Sequence, residues 1–473
     1  MHRLYLGVMG VIFAVAIPGC TLPKWGSSLP EPRPLGSGHV TYAPTESSTS
    51  AAGSVSRAGS SETEPTGELS LRKAVGLALL RSPELASFAW SVRQAEAEQL
   101  QASLQPNPRL ETEFENFAGT GEFRGTRALE TTVSLSQLIE LGGKRARRMR
   151  LASLDSRLSG WNYETKRLKV LTDVTRKYAA LLAAQRRLDL TRENLKLAEA
   201  ALGAVEKRVS AGKSAPTEKL KASVETATSR IDNRRAEREL TVARQQLAAT
   251  WGSDKALFDR AVGDFAKISP PPDTEALTPL LAQNPEIARW ETEAAQRQAT
   301  LDLAKAAAVP DVEVGAGYRQ SWETGADDGA MLVTASVPLP LFDRNQGEIL
   351  RARFGVQKTH ADRNAAQVRL HAQLTAAYQQ LASAYEESRS LQDEILPMAR
   401  RAYKAVETSF KEGKSGYLDM LDAQRTLVDA QSKHVEALAE YHQARAQVEA
   451  LVGQSIESVS TKTQSDEDTT NEK

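Results

Sequence analysis

The feature that most constrains this chain is a proline-free run over residues 143–212, in which Val174, Leu181, Leu188, Leu195, Leu202 and Val209 recur every seven residues. Such a repeat predicts one helix carrying a coiled-coil seam, with left-handed supercoiling. Ser159, Gly160 and Gly203 are its only weak points. At about 1.5 Å per residue the helix is a rod roughly 100 Å long, built to reach across something. A related run covers residues 345–412, so the chain has two rods and two halves.

The length of 473 residues favours about three domains, but an internal repeat overrides that prior. Only 5% of residues are aromatic, which suits narrow helical seams better than a large core. Sixty basic and sixty acidic residues cancel, leaving no overall electrostatic case for nucleic acid as a partner.

The N-terminus carries a separate message. His2 and Arg3 precede an apolar stretch too short to span a bilayer, and Cys20 follows where cleavage is expected, so residues 1–19 read as a secretory signal. Cys20 is the chain's one cysteine. An ordinary signal with an incidental cysteine is the other reading. No later stretch is apolar enough for a transmembrane helix, so any membrane crossing is by strands. Residues 20–67, rich in Pro, Ser, Gly and Thr, read as an N-terminal arm.

Ser70 is the expected N-cap of a helix running to about Leu104, stopped by Pro106 and Pro108. Over residues 109–117 the period changes to two, with Leu110, Thr112 and Phe114 alternating against Glu111, Glu113 and Glu115. A second strand over about 129–138 completes a hairpin, and Gly142-Gly143 leads into the rod. The rod ends at Gly212, Lys213 and Ser214, a helix–helix turn, and Thr217 to Trp251 runs back. A Pro-rich connector over 253–275 closes a first repeat, 68–252.

The pattern then recurs over 276–453. Ser82-Pro83-Glu84-Leu85 matches Asn284-Pro285-Glu286-Ile287, Pro108 falls on Pro310 and Glu111 on Glu313. Gly212-Lys213-Ser214 falls on Gly413-Lys414-Ser415 and Trp251-Gly252 on Val452-Gly453. The second hairpin uses strands near 311–319 and 330–338, and residues 454–473 read as a disordered tail. The fold class is mainly α with a small β part: a duplicated helix, β-hairpin, helix, helix, with four strands per chain. Four strands cannot close a membrane barrel, whose smallest form needs about eight, so a dimer or a trimer is required.

This plan resembles the TolC-like outer-membrane factor family. The resemblance covers residues 68–453, and its phrases include Gln105-Pro106-Asn107-Pro108, Glu140-Leu141-Gly142-Gly143-Lys144-Arg145 and Tyr417-Leu418-Asp419-Met420-Leu421-Asp422. These phrases are most similar to the branch serving heavy-metal cation efflux. The resemblance implies a homotrimer with a shared twelve-stranded transmembrane β-barrel and coiled-coil rods forming an α-barrel tunnel. It implies a periplasmic adaptor docking on the turns at Gly212, Lys213, Ser214, Gly413, Lys414 and Ser415, and a proton-driven RND-type inner-membrane pump. Cys20 resembles the acylated cysteine of a lipoprotein, which implies an outer-membrane lipid anchor. Asp419 and Asp422 are expected to ring and constrict the periplasmic entrance.

Other readings stand beside these. Asp419 and Asp422, each one residue past Leu418 and Leu421, sit off the apolar seam and are equally a solvated pair. Glu111, Glu113 and Glu115 either line a lumen and favour cations or form a generic water-facing surface. The duct is open to drugs or proteins as cargo, and a periplasmic coiled-coil spacer without a pore is the reading from another class. The six histidines form no metal motif, and His434 and His442, eight apart, are expected at the surface. Gly212-Lys213-Ser214 lacks the earlier glycine of a phosphate loop. No catalytic constellation, cofactor or metal site is expected.

Overall fold

A computed structural model of the chain describes residues 64–322 and 328–457. The signal, Cys20 and most of the arm and tail lie outside the described residues. The first elements are β1 (Gly67–Ser70) and α1 (Leu71–Arg81), capped by the Ser70 hydroxyl, which accepts from the Lys73 N–H. The expected single helix to Leu104 is broken. Pro83 disfavours helical backbone at Ser82, whose ψ of 120° ends α1, and the Ser82 hydroxyl caps a new helix, α2 (Pro83–Ser103).

A hairpin of β2 (Arg109–Glu115) and β3 (Glu130–Ile139) precedes the 67-residue rod α3 (Lys144–Ser210), and α4 (Pro216–Ala248) runs back beside its lower part. The seam drifts along the rod. Val174, Leu181 and Leu188 are buried, but Leu195, Leu202 and Val209 are half-exposed, and burial passes to Ala198, Ala201 and Val205.

The connector is more than a linker. Phe258–Val262 forms β4, which pairs in parallel with β1 so that Leu69 faces Ala261. The Tyr178 hydroxyl of α3 lies within hydrogen-bond distance of the Leu69 and Val262 carbonyls, so its single proton donates to one or the other and ties α3 to both strands. Leu69, Val174, Leu181, Leu247, Trp251 and Phe258 form the core there.

The second half repeats the order after a single turn, α5 (Thr274–Leu277). It comprises α6 (Pro285–Ala307), β5 (Val312–Ser321), β6 (Asp328–Ser336), α7 (Gln346–Ser390), α8 (Leu396–Lys411) and α9 (Tyr417–Val452). A π-helical segment, Leu391–Ile395, joins α7 to α8 just before Pro397, so the second rod is continuous but wider-wound at one point. Leu370, Leu374, Ala377, Leu381 and Ala384 pack on Tyr441, Ala444, Val448 and Leu451 of α9. Ile456 joins that cluster, so the packed chain continues past Gly453, where a tail is expected.

His442 is not at the surface. It is stacked on Phe265 at 5.4 Å, Nε2 lies 2.9 Å from the Phe265 carbonyl, and neighbouring Tyr441 bonds both the N–H and carbonyl of Ser269 at 2.9 Å. Together they clamp the connector to α9. Burial holds His442 below the usual histidine pKa, and burial does the same to His434.

Candidate functional site

The packing order of the elements decides what the chain can build. The rod α3 lies between α2 and α6 towards the sheet end, and between α4 and α9 towards the turn end; α7 packs on α6 and α9, and α8 on α9. Three layers result: the sheet β2-β3-β5-β6, the helices α2-α3-α6-α7, and the helices α4-α3-α9-α8. In every layer one edge belongs to the first half of the chain and the other edge to the second half.

Those edges are apolar and, among the described residues, unpartnered. On α4, Leu220, Val224, Ile231 and Val242 are exposed at spacings of a helical face, Ile231 to 60%. On the opposite edge Ile395 and Met398 are exposed, and nearer the sheet Leu350, Phe354 and Val368 of α7 face away from the chain's own helices. Trp90 marks the facing edge on α2. A layer with two different sticky edges closes only with further copies in head-to-tail order.

The sheet separates two chemistries by strand alternation. Glu111 pairs with Ser134, Glu113 with Thr132 and Glu115 with Glu130, so the three glutamates share one polar face with the hydroxyls of β3. Arg319 of β5 joins them, lying 3.6 Å from Glu115 and 3.4 Å from Glu130 and donating to Thr132 Oγ1 at 3.1 Å. Sequence reasoning did not single out Arg319, although it is the one basic residue of β5. Gly317 stands opposite Ser134 because a Cβ there would lie 2.7 Å from the Val133 carbonyl. The other face carries Leu110, Phe114, Val133, Leu135, Tyr318, Met331 and Val333, all exposed. A contiguous apolar face of this size marks a surface that meets lipid or another protein.

At the far end the two helix–helix turns meet. Gly212 and Gly413 adopt φ of 68° and 80°, and the next residues, Lys213 and Lys414, donate to the carbonyls of Arg208 and Ser409 at 2.8 and 2.9 Å, closing each helix in the same way. Lys414 pairs with Glu412, and Ser415 donates to the Val406 carbonyl at 3.4 Å. Val205, Ala222, Phe410, Tyr417, Met420 and Leu421 form a core shared by both turns.

Asp419 and Asp422 are both exposed beside this core. Asp419 Oδ2 accepts the Gly416 N–H at 3.0 Å, capping α9, a role the sequence reading did not foresee. Leu418 is not part of the seam: it is exposed, and Tyr417, Met420 and Leu421 are the buried residues. The aspartates remain off the core all the same. Among the described residues no cluster of His, Cys, Asp or Glu is arranged to hold a metal ion, and no helix is long and apolar enough to cross a membrane.

The geometry has known counterparts. The family model described as "Outer membrane efflux protein" matches residues 74–253 and again 276–454. Cobalt-zinc-cadmium resistance protein CzcC of Cupriavidus metallidurans is 30% identical over 314 residues, covering 66% of this chain and 73% of CzcC. Nickel and cobalt resistance protein CnrC of the same organism is 28% identical over 275 residues, covering 57% of this chain and 63% of CnrC. Among solved structures, a membrane protein from Pseudomonas aeruginosa superposes with a TM-score of 0.68 at 20% identity, covering 81% of this chain and 93% of that one. CusC superposes with 0.65 at 17%, covering 83% and 96%. The repeated match, one to each half of a chain whose layers all end in open edges, places it in a family: the chain belongs to the outer membrane efflux proteins.

Proposed function

We propose that three copies of this chain form the outer-membrane duct of a tripartite exporter, and that its cargo is a heavy-metal cation. The observation that carries the reading is the set of unmatched edges at three levels: sheet, upper helices and lower helices. Joining β6 of one copy to β2 of the next closes a barrel of twelve strands with an apolar exterior and the Glu111, Glu113, Glu115 and Arg319 face inside. The same operation brings α7 to α2 and α8 to α4, extending the wall along the rods.

The metal cargo is supported by CzcC, CnrC and the nickel-cobalt-cadmium resistance protein NccC. A second reading, export of a small organic molecule, has the pyoverdine export protein OpmQ of Pseudomonas putida in its favour, 26% identical over 335 residues. The wall itself is neutral between these cargoes. The turns at Gly212 and Gly413 are the proposed docking points of a periplasmic adaptor, which couples the duct to an inner-membrane pump of the proton-driven RND type. Asp419 and Asp422 are the proposed constriction, and Cys20 the proposed lipid anchor.

The test is single-channel conductance of the purified protein in a planar bilayer, with the oligomeric mass measured on the same sample. A trimer with discrete, cation-selective steps is expected, if need be after both aspartates are replaced. A monomer, or a trimer that stays silent with both aspartates replaced, would leave the pore-free spacer as the better account.

A further inference from the structure

The junction between the sheet and the rods breaks a local rule. Residues 144–150 contain Lys144, Arg145, Arg147, Arg148 and Arg150 and no acidic residue, in a chain with no net charge overall. This cluster sits at the start of α3, where the helix dipole disfavours cations, and the first turn has no acidic residue to offset it. Such violations of local preference collect at functional positions.

Part of the cluster is consumed within the chain. Lys144 pairs with Asp311 at 2.8 Å, while Arg148 binds Glu140 at 2.6 Å and donates to the carbonyls of Ala102 and Leu104. These bonds fasten the rod to the sheet and to the end of α2. Arg145 and Arg150 are exposed and have no carboxylate partner among the described residues. At the start of the other rod Arg344 and Arg353 are likewise exposed without a carboxylate, the Arg344 side chain meeting the Pro340 carbonyl at 3.3 Å.

Between sheet and arginines lies an apolar strip. Met331, Val333 and Ala335 alternate along the apolar face of β6, and Val337, Leu339 and Leu341 continue the alternation past its last paired residue, Ser336. Leu339, Leu341 and Phe342 are 75%, 66% and 91% exposed. Three of the four strands have nine to ten residues and, tilted as in a barrel, span an apolar band about 25 Å tall. The strip and the arginines therefore stand at the rod-side edge of that band, which is the periplasmic leaflet of the outer membrane.

We propose that this junction is a phospholipid collar: Arg145, Arg150, Arg344 and Arg353 bind the phosphates of anionic phospholipid in the periplasmic leaflet, and Leu339, Leu341 and Phe342 lie among its acyl chains. Guanidinium suits phosphate through paired N–H donors, and a phosphate at the start of a helix cancels the misplaced positive charge. Aliphatic stems let the arginines reach the headgroup level from an apolar surface. The collar rests on the membrane placement given above, and fixes the height of the duct in the bilayer.

The test uses the full chain in lipid nanodiscs of phosphatidylcholine with a minority of phosphatidylglycerol. The ratio of the two lipids retained after detergent extraction is measured together with melting temperature and oligomeric mass. The wild type is expected to enrich phosphatidylglycerol about threefold or more over the bulk ratio. The fourfold variant Arg145→Gln, Arg150→Gln, Arg344→Gln, Arg353→Gln is expected to return to the bulk ratio with the trimer intact; Leu339→Ser with Phe342→Ser is expected to lower melting in the nanodisc. Unchanged enrichment in the fourfold variant overturns the collar. Loss of the trimer in that variant also overturns it, assigning the arginines to the contact between copies. A wild type that does not enter the bilayer fails earlier, on the membrane placement itself.

Discussion

The guanidinium of Arg208 donates to the carbonyl of Phe410 at 2.9 Å and lies over the Phe410 ring at 4.6 Å. The two residues are 202 apart in sequence and belong to different halves, each in the last turn of a helix leading to its glycine turn. One side chain thus ties the two turns of the proposed entrance together. The Phe410 carbonyl also accepts the Gly413 N–H at 3.0 Å, so the guanidinium adds a second donor to an acceptor at the end of α8.

Replacing Arg208 by alanine removes both the charged hydrogen bond and the ring contact. A cost of about 1–3 kcal/mol at the tip is expected. In planar bilayers the Arg208→Ala channel should conduct more, or open more often, than wild type, while Arg208→Lys should recover only part of the difference because it lacks the planar fork. Equal conductance in all three proteins would mean that the bond plays no part in closure.

The two aspartates are expected to separate under mutation. Asp419 reaches back from the first turn to cap the Gly416 N–H, so Asp419→Ala should lower stability by about 0.3–1.5 kcal/mol as well as alter conductance. Among the described residues the Asp422 side chain makes no hydrogen bond to a helix terminus, its backbone carbonyl accepting from Thr426, and Asp422→Asn should raise conductance with melting temperature unchanged. If the Asp419→Asn, Asp422→Asn double variant conducts like wild type, carboxylate charge does not constrict the entrance.

His442 makes a pH prediction whose sign follows from its burial. Its pKa lies below the ordinary 6.5 in the folded state, set chiefly by burial and by Arg445, against which the Phe265 carbonyl, Asp264 and Glu449 act. The unfolded chain therefore takes up the proton first as pH falls below about 6.5, and stability drops until the folded-state histidine titrates as well. His434, depressed by burial and by Arg186 and Arg400, adds to the same slope. Thermal melting should be lower at about pH 5 than at about pH 7.5, and His442→Gln with His434→Gln should flatten the part of that fall near neutrality. A slope unaltered by both substitutions would place its origin in other groups.

The edge of α4 gives the cleanest test of ring assembly. Val224 and Ile231 are exposed within the chain, so Val224→Lys with Ile231→Lys should leave helix content by circular dichroism unchanged. Mass in detergent should fall from trimer to monomer, because lysine at the centre of an apolar contact leaves a buried unpaired charge. A persistent trimer would exclude α4 from the contact between copies.

The sequence by itself determined the rods, both hairpins, the glycine turns and the duplication. Those signals are local: a period near 3.5 or of 2, prolines at Pro106 and Pro108, and glycines that accept positive φ at Gly212 and Gly413. Tertiary structure alone decided the pairing of Leu69 with Ala261, the burial of His442 against Phe265, the reach of Arg319 to Glu115 and Glu130, and the exposure of Leu418 beside buried Tyr417. Each depends on partners tens to hundreds of residues away. A strand as short as Phe258–Val262 or a histidine on a helix has no preference strong enough to announce its neighbour, and only the packed chain supplies the burial and hydrogen bonds that select one arrangement.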